Sequence, residues 1–147
     1  MNSSGVEILL VEDNFIDAEL AIREFGKNLL VNKLFHVRDG EEALHFVFAT
    51  GKFAASRSIL RPPSLILLDI QMPKIDGMEV LEKIKSDERT QSIPVVMLTS
   101  SNKDPHIKKC YGLGACSYIV KPLDYESFTD AIKHIGFSWL LVNQRPF

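Results

Sequence analysis

The sequence predicts an α/β fold built on a parallel sheet, and two patterns carry that prediction. Short apolar runs alternate five times with longer amphipathic stretches, the order that strand–helix–strand crossovers require. The short runs are also nearly continuous in Val, Ile and Leu rather than alternating with polar residues. Such runs mark strands covered on both faces, as in parallel sheets. Composition agrees: the 147 residues are 46% hydrophobic and 24% charged, a soluble globular balance with room for one domain.

The elements follow in order. Glu7-Ile-Leu-Leu-Val11 reads as the first strand, and a helix over 15–29 sets Ala18, Ala21, Ile22, Phe25 and Leu29 at spacings of three and four. Leu34-Phe-His-Val37 is a weaker strand, and His36 inside it suits a sheet edge. A helix over 41–50 places Ala43, Leu44 and Val47 on one stripe. Gly51–Pro63, closed by Pro62-Pro63, reads as a long surface loop. Leu65-Ile-Leu-Leu68 is the third strand. Asp76-Gly77 opens a helix with Val80, Leu81 and Ile84 inward and Glu79, Glu82, Lys83 and Lys85 outward. Val95-Val-Met-Leu98 is the fourth strand, and Asp104-Pro105 starts a helix carrying Ile107 and Tyr111. Ser117-Tyr-Ile-Val120 is the fifth. The last helix, from about Asp124, aligns Phe128, Ile132, Ile135 and Trp139. Residues 1–5 are expected to be disordered and 6–147 to form one domain, with 137–147 as a C-terminal extension.

Several function classes are disfavoured at once. Seventeen Lys/Arg against nineteen Asp/Glu leave a formal charge of −2, which exerts no pull toward nucleic acid or an anionic membrane. No apolar run approaches the roughly 18–20 residues of a membrane span, and the start lacks a signal-peptide pattern. Cys110 and Cys116 are too few for a disulfide framework and too far apart for a Cys-x-x-Cys site. The expected location is the cytoplasm, with reduced thiols and no room for an effector domain. His36, His45, His106 and His134 fall on different elements without ligand spacing, and are expected at surfaces or edges.

In an open parallel sheet, function collects at the carboxyl ends of the strands. Glu12-Asp13 follows the first apolar run, Asp69 the third, Thr99-Ser100 the fourth and Lys121-Pro122 the fifth. Taken singly, each has an ordinary explanation: Asp13 as a helix cap, Asp69 as a turn acid, Thr99 as a cap, Lys121 as a solvated lysine. Together they put three carboxylates into one small space. Two unit charges about 5 Å apart repel by roughly 3 kcal/mol at an effective dielectric near 20, so the set calls for protons or a cation. Oxygen ligands in a partly open site suit Mg²⁺. A carboxylate is also a competent nucleophile toward phosphorus, and phosphoryl transfer needs placement, a bridging metal and donors on the remaining oxygens. Thr99 and Lys121 supply such donors.

The motifs Val11-Glu-Asp-Asn14, Leu67-Leu-Asp-Ile-Gln-Met-Pro-Lys-Ile-Asp-Gly77, Pro94-Val-Val-Met-Leu-Thr-Ser100 and Gly114-Ala-Cys-Ser-Tyr-Ile-Val-Lys-Pro122 resemble the response-regulator receiver domain of two-component signalling. The resemblance runs from about Glu7 to the final helix. It implies a flavodoxin-like, doubly wound, five-stranded parallel sheet of order 2-1-3-4-5. It implies that Asp69 takes phosphate from a histidine kinase's phosphohistidine. Mg²⁺ (or Mn²⁺) would then be held by Glu12, Asp13, Asp69 and the backbone carbonyl of Gln71. Thr99 and Lys121 would contact the phosphoryl oxygens, Tyr118 would follow Thr99 inward, and the Lys121-Pro122 bond would be cis. The protein would be a signalling domain that phosphorylates and dephosphorylates itself, not an enzyme with an external metabolite.

Leu98-Thr-Ser-Ser-Asn102, the segment Tyr111–Pro122, the 51–63 connection and the aromatic tail are further similar to single-domain regulators partnered with bacterial phytochrome kinases. Those usually carry Asn where Cys116 and Gln71 stand here. Phe137, Trp139, Leu140, Leu141 and Phe147 extend the last helix's apolar surface beyond what one stripe can bury, so a homodimer through that helix is expected. Rivals fit less well. A dehalogenase-type phosphatase needs a second Asp where Gln71 stands, a flavin binder would find Glu12-Asp13 repelling its phosphate, and no Walker loop or GxGxxG occurs. A receiver used purely as a docking module, independent of phosphorylation, is the alternative from another class; the intact site residues argue against it.

Overall fold

The computed structural model describes residues 7–28, 33–72 and 74–134. Its elements are β1 (Glu7–Val11), α1 (Phe15–Asn28), β2 (Lys33–Val37), α2 (Gly40–Phe48), β3 (Leu65–Asp69), α3 (Gly77–Lys85), β4 (Val95–Thr99), α4 (His106–Gly112), β5 (Ser117–Val120) and α5 (Tyr125–His134). The strands form one sheet in the order β2-β1-β3-β4-β5, and every neighbouring pair is parallel. Strand order reverses beside β1, which opens a crevice at the carboxyl ends of β1 and β3.

The continuous apolar runs are explained by two cores, one on each side of the sheet. Leu9, Val11, Ile66 and Leu68 face Ala43, Phe46, Val80, Leu81 and Ile84 of α2 and α3. Ile8, Leu10, Leu65 and Leu67, the alternate residues of the same strands, face Ala18, Ala21, Phe25, Phe128 and Ile132 of α1 and α5. Side chains of successive strand residues point to opposite faces, so both parities must be apolar. β3 and β4 are buried throughout. Phe25 and Phe128 join α1 to α5 edge-to-face, with ring centroids 5.0 Å apart.

One helix-face expectation needs correction, and the structure adds detail on α2 and α4. Ile22 is 42% exposed, because Ala18, Ala21 and Phe25 already fill the buried stripe of α1. Phe46, not Leu44, is the large buried side chain of α2. On α4, Tyr111 is 45% exposed and Cys110 takes the buried position; seven residues make barely two turns, too few to define a stripe from sequence. Leu29, Ile135, Trp139 and the 137–147 extension lie outside the described residues, as do 1–6.

The 51–63 connection is a surface loop, but a fastened one. After a single 3₁₀ turn at Gly51–Phe53, the Arg57 guanidinium donates to the Phe46 carbonyl (3.2 Å) and to the Glu7 carboxylate (2.9 Å). It also lies over the Phe46 ring, 3.7 Å from the centroid, a stacked cation. Phe53 meets that ring edge-on, with centroids 5.1 Å apart. Phe46 therefore links the core to the loop. Phe46→Ala is expected to lower the unfolding free energy by about 3–5 kcal/mol in urea denaturation, and a loss below about 1 kcal/mol would contradict this packing.

Candidate functional site

Register decides which side chains meet. Val11 pairs with Leu68, Asp69 with Leu98 and Thr99 with Val120. Glu12, Asp69, Thr99 and Lys121 therefore leave the sheet in consecutive rows at one edge, where the Lys121 N–H donates to the Thr99 carbonyl at 2.8 Å. The helix that follows β1 is capped by Asn14, whose Oδ1 accepts from the Asp17 N–H at 2.9 Å. Asp13 is thus not the cap that it could have been, and its carboxylate stays exposed at the rim.

The expected acids do converge. Glu12, Asp13 and Asp69 bring one carboxylate oxygen each to within 4.8 Å of one another, and Glu12 and Asp69 are 2% and 4% exposed. Lys121 Nζ sits among them, 2.9 Å from Glu12 Oε1 and 2.9 Å from Asp69 Oδ2. It also lies 3.3 Å from Asp17 Oδ2, an acid that sequence reasoning missed. Asp17 is in the first turn of α1, where acids are common for dipole reasons alone; its position four residues after Asp13 was the available signal. Asp69 Oδ1 accepts from the Gln71 N–H at 3.2 Å.

A cavity of about 190 Å³ opens between these groups, with Asp13, Asp69, Gln71, Thr99, Asp104 and Lys121 among its walls. Its floor is tightly built. A Cβ on Gly77 would lie 2.1 Å from the Asp69 carbonyl oxygen, and the Gly77 N–H donates to the Ile70 carbonyl at 2.9 Å. Only glycine lets α3 start this close to the end of β3.

Burial drives the electrostatics. Together with the neighbouring Asp69 carboxyl, and against the opposing pull of Lys121, it pushes the Glu12 carboxyl up to about 7. Burial alone would depress the Lys121 ammonium, but its bonds to Asp69 and Glu12 win and hold it above the usual lysine range. One cation thus faces several acids whose remaining negative charge is unbalanced.

Thr99 is 1% exposed, and its Oγ1 lies 3.0 Å from Asp104 Oδ2 and 3.1 Å from the Ser101 carbonyl. Burial opposes charge on Asp104, but hydrogen bonds from the His106 N–H, the Thr99 hydroxyl and the His106 ring hold its carboxyl below the usual range. Tyr118 is half-buried on β5, packed against the core and edge-on to Tyr111 at 6.4 Å. The Lys121-Pro122 peptide is cis. His36 Nε2 donates to the Glu12 carbonyl at 2.8 Å, and His45 Nδ1 bonds Thr50 Oγ1 at 2.8 Å, each serving local structure. Phe137, Trp139, Leu140 and Leu141 lie outside the described residues.

Comparison with known proteins matches this arrangement. A probable methanogenesis regulatory protein, FilR2 of Methanothrix harundinacea, is 38% identical over 139 residues, covering 95% of this chain and 86% of its own. The bacteriophytochrome response regulator AtBRR superposes with a TM-score of 0.82 at 39% identity, covering 90% of this chain and 93% of that one. The response regulator Rcp1 of Synechocystis is 34% identical over 90% of this chain and 88% of its own. The crystal structure of its Mn²⁺-bound form superposes with a TM-score of 0.73, over 92% of this chain and 94% of that one. The family model for the response regulator receiver domain matches residues 8–133, which spans all five strands and five helices except the first residue of β1 and the last residue of α5. The chain therefore belongs to the response regulator receiver family.

Proposed function

We propose that this receiver domain accepts one phosphoryl group on Asp69 from the phosphohistidine of a histidine kinase, with Mg²⁺ or Mn²⁺ as cofactor. The observation that carries the reading is the placement of Asp69: a buried carboxylate at a strand end, oriented at one oxygen by the Gln71 N–H and at the other by Lys121, on the wall of an open cavity. Oxygen attack on phosphorus breaks the P–N bond to the donor imidazole, which leaves carrying its electron pair and takes a proton. Lys121, held protonated, gives the transferring group a cationic donor. The Thr99 hydroxyl is the second donor.

The donor set fits a hard divalent cation. Glu12, Asp13 and Asp69 offer only oxygens, at a spacing that one ion could bridge, and the Gln71 main-chain carbonyl is the expected fourth protein ligand. Bound there, the cation would neutralise charge on the acids and on the incoming phosphoryl oxygens. Mn²⁺ in the related Rcp1 crystal supports this assignment.

Downstream, Thr99 and Tyr118 form the switch, with Lys121-Pro122 as its fixed flank. Their movement would shift the population between two packings of the α4–β5–α5 face. A phytochrome-type kinase is the partner that the bacteriophytochrome regulators among the structural relatives support. A cytoplasmic location goes with it, since kinases fed by ATP work there. The homodimer through the final helix rests on the sequence alone.

Incubation with Mg²⁺ and acetyl phosphate should add one phosphoryl group by intact mass. Asp69→Asn should abolish it, and labelling of that variant would overturn the assignment. A second test uses Glu12. Its carboxyl titrates near 4.5 when free and at about 7 in the folded, metal-free chain, so between those values the folded state holds a proton that the unfolded state lacks. Stability in EDTA should therefore fall as pH rises from about 4.5 through about 7, by up to about 3 kcal/mol. Urea melts of Glu12→Gln should lack this component, and Mg²⁺, which binds the carboxylate, should diminish it. Equal pH slopes for wild type and Glu12→Gln would refute the burial argument.

A further inference from the structure

Thr99 cannot offer its hydroxyl to a phosphoryl group while its bonds stay as they are. A hydroxyl has one proton. Of the two acceptors in reach, the Asp104 carboxylate at 3.0 Å is stronger than the Ser101 carbonyl at 3.1 Å. Asp104 is itself held from behind. Its Oδ1 accepts from the His106 N–H at 2.8 Å and lies 3.0 Å from His106 Nδ1, which leaves Oδ2 aimed at Thr99. The carboxylate is only 8% exposed and shares the cavity wall with Asp69 and Lys121. Lys121 is committed to Glu12, Asp17 and Asp69.

We infer that Asp104 is a positioning residue that acts as a latch on Thr99, holding its hydroxyl in the unphosphorylated protein and releasing it when a phosphoryl group arrives. The inference rests on the phosphoacceptor reading of Asp69. Two effects drive release: the phosphoryl oxygens compete for the same proton, and their charge repels the Asp104 carboxylate across the cavity. The latch favours the unphosphorylated conformation only, so its strength sets how much of the phosphoryl group's interaction energy is spent on switching. A turn-capping role for Asp104 needs only Oδ1; the bond from Oδ2 to Thr99 is the part that it leaves unexplained.

Asp104→Asn separates the two roles. Its amide oxygen can keep the His106 N–H, while the NH₂ that replaces Oδ2 cannot accept from Thr99. Beryllofluoride with Mg²⁺, a phosphoryl mimic, is the probe, and binding is followed by calorimetry. Asp104→Asn is expected to bind it about tenfold more tightly than wild type. Asp104→Ser, which keeps a capping oxygen, should shift in the same direction. In a Thr99→Val background the Asp104→Asn gain should shrink to less than about twofold. A full gain in that background would mean charge removal alone and would overturn the latch, as would no gain in Asp104→Asn. NMR coupling constants for Thr99 in the unliganded protein give a readout that does not depend on Asp69: one χ1 rotamer in wild type, averaging in Asp104→Asn. A Thr99 that stays fixed in Asp104→Asn overturns the latch directly. Release of Thr99 without any beryllofluoride binding, in wild type or variant, would instead overturn the reading of Asp69.

Discussion

One ammonium group balances the buried carboxylates at the carboxyl edge of the sheet. Lys121 meets Glu12, Asp17 and Asp69 at once, and each contact comes from a different element or turn. An ionised carboxylate moved out of water without a partner carries a penalty of several kcal/mol. The placement of β5 beside β4 is therefore as much an electrostatic requirement as a packing one. Lys121 is one cation among several acids, and burial first, with the Asp69 carboxyl beside it, raises the affinity of Glu12 for a proton. A divalent cation meets the same need with more charge.

Most of this was legible in the residues because parallel sheets write themselves plainly. A strand covered on both faces must be apolar at every position, so its first polar residue announces its end. That rule placed Glu12, Asp69, Thr99 and Lys121 at one edge before any coordinates. What escaped were relationships across elements. Asp104 reads as an ordinary helix-start residue and Asp17 draws no reading at all, since nothing local says that a threonine from β4 or the lysine after β5 will reach them. Arg57 was hidden for the same reason: its carboxylate partner, Glu7, is separated from it by 50 positions. The error of helix phase at Ile22 belongs to another class, in which an amphipathic segment admits two stripes and packing against the sheet selects one.

The relatives sharpen what the site does and does not specify. FilR2, at 38% identity, is named for methanogenesis, while AtBRR and Rcp1 are response regulators, the former of a bacteriophytochrome. Relatives of comparable similarity are thus named for different processes. The acids, lysine and hydroxyl are the groups that the proposed phosphoryl chemistry uses, and they do not by themselves name a signal.

The approach of Gly77 to the Asp69 carbonyl has a consequence for how this chain could vary. A side chain at position 77 would displace the main chain on which the Asp69 carboxylate is mounted, so the β3–α3 turn has no latitude there. At Gln71 in the same turn the structure uses the backbone N–H, and a different side chain would disturb nothing it bonds. Two positions of one connection thus stand at opposite ends of mutational tolerance, one frozen by missing space and one free because its work is done by the peptide. Drift in this turn should accumulate at 71 and stop at 77.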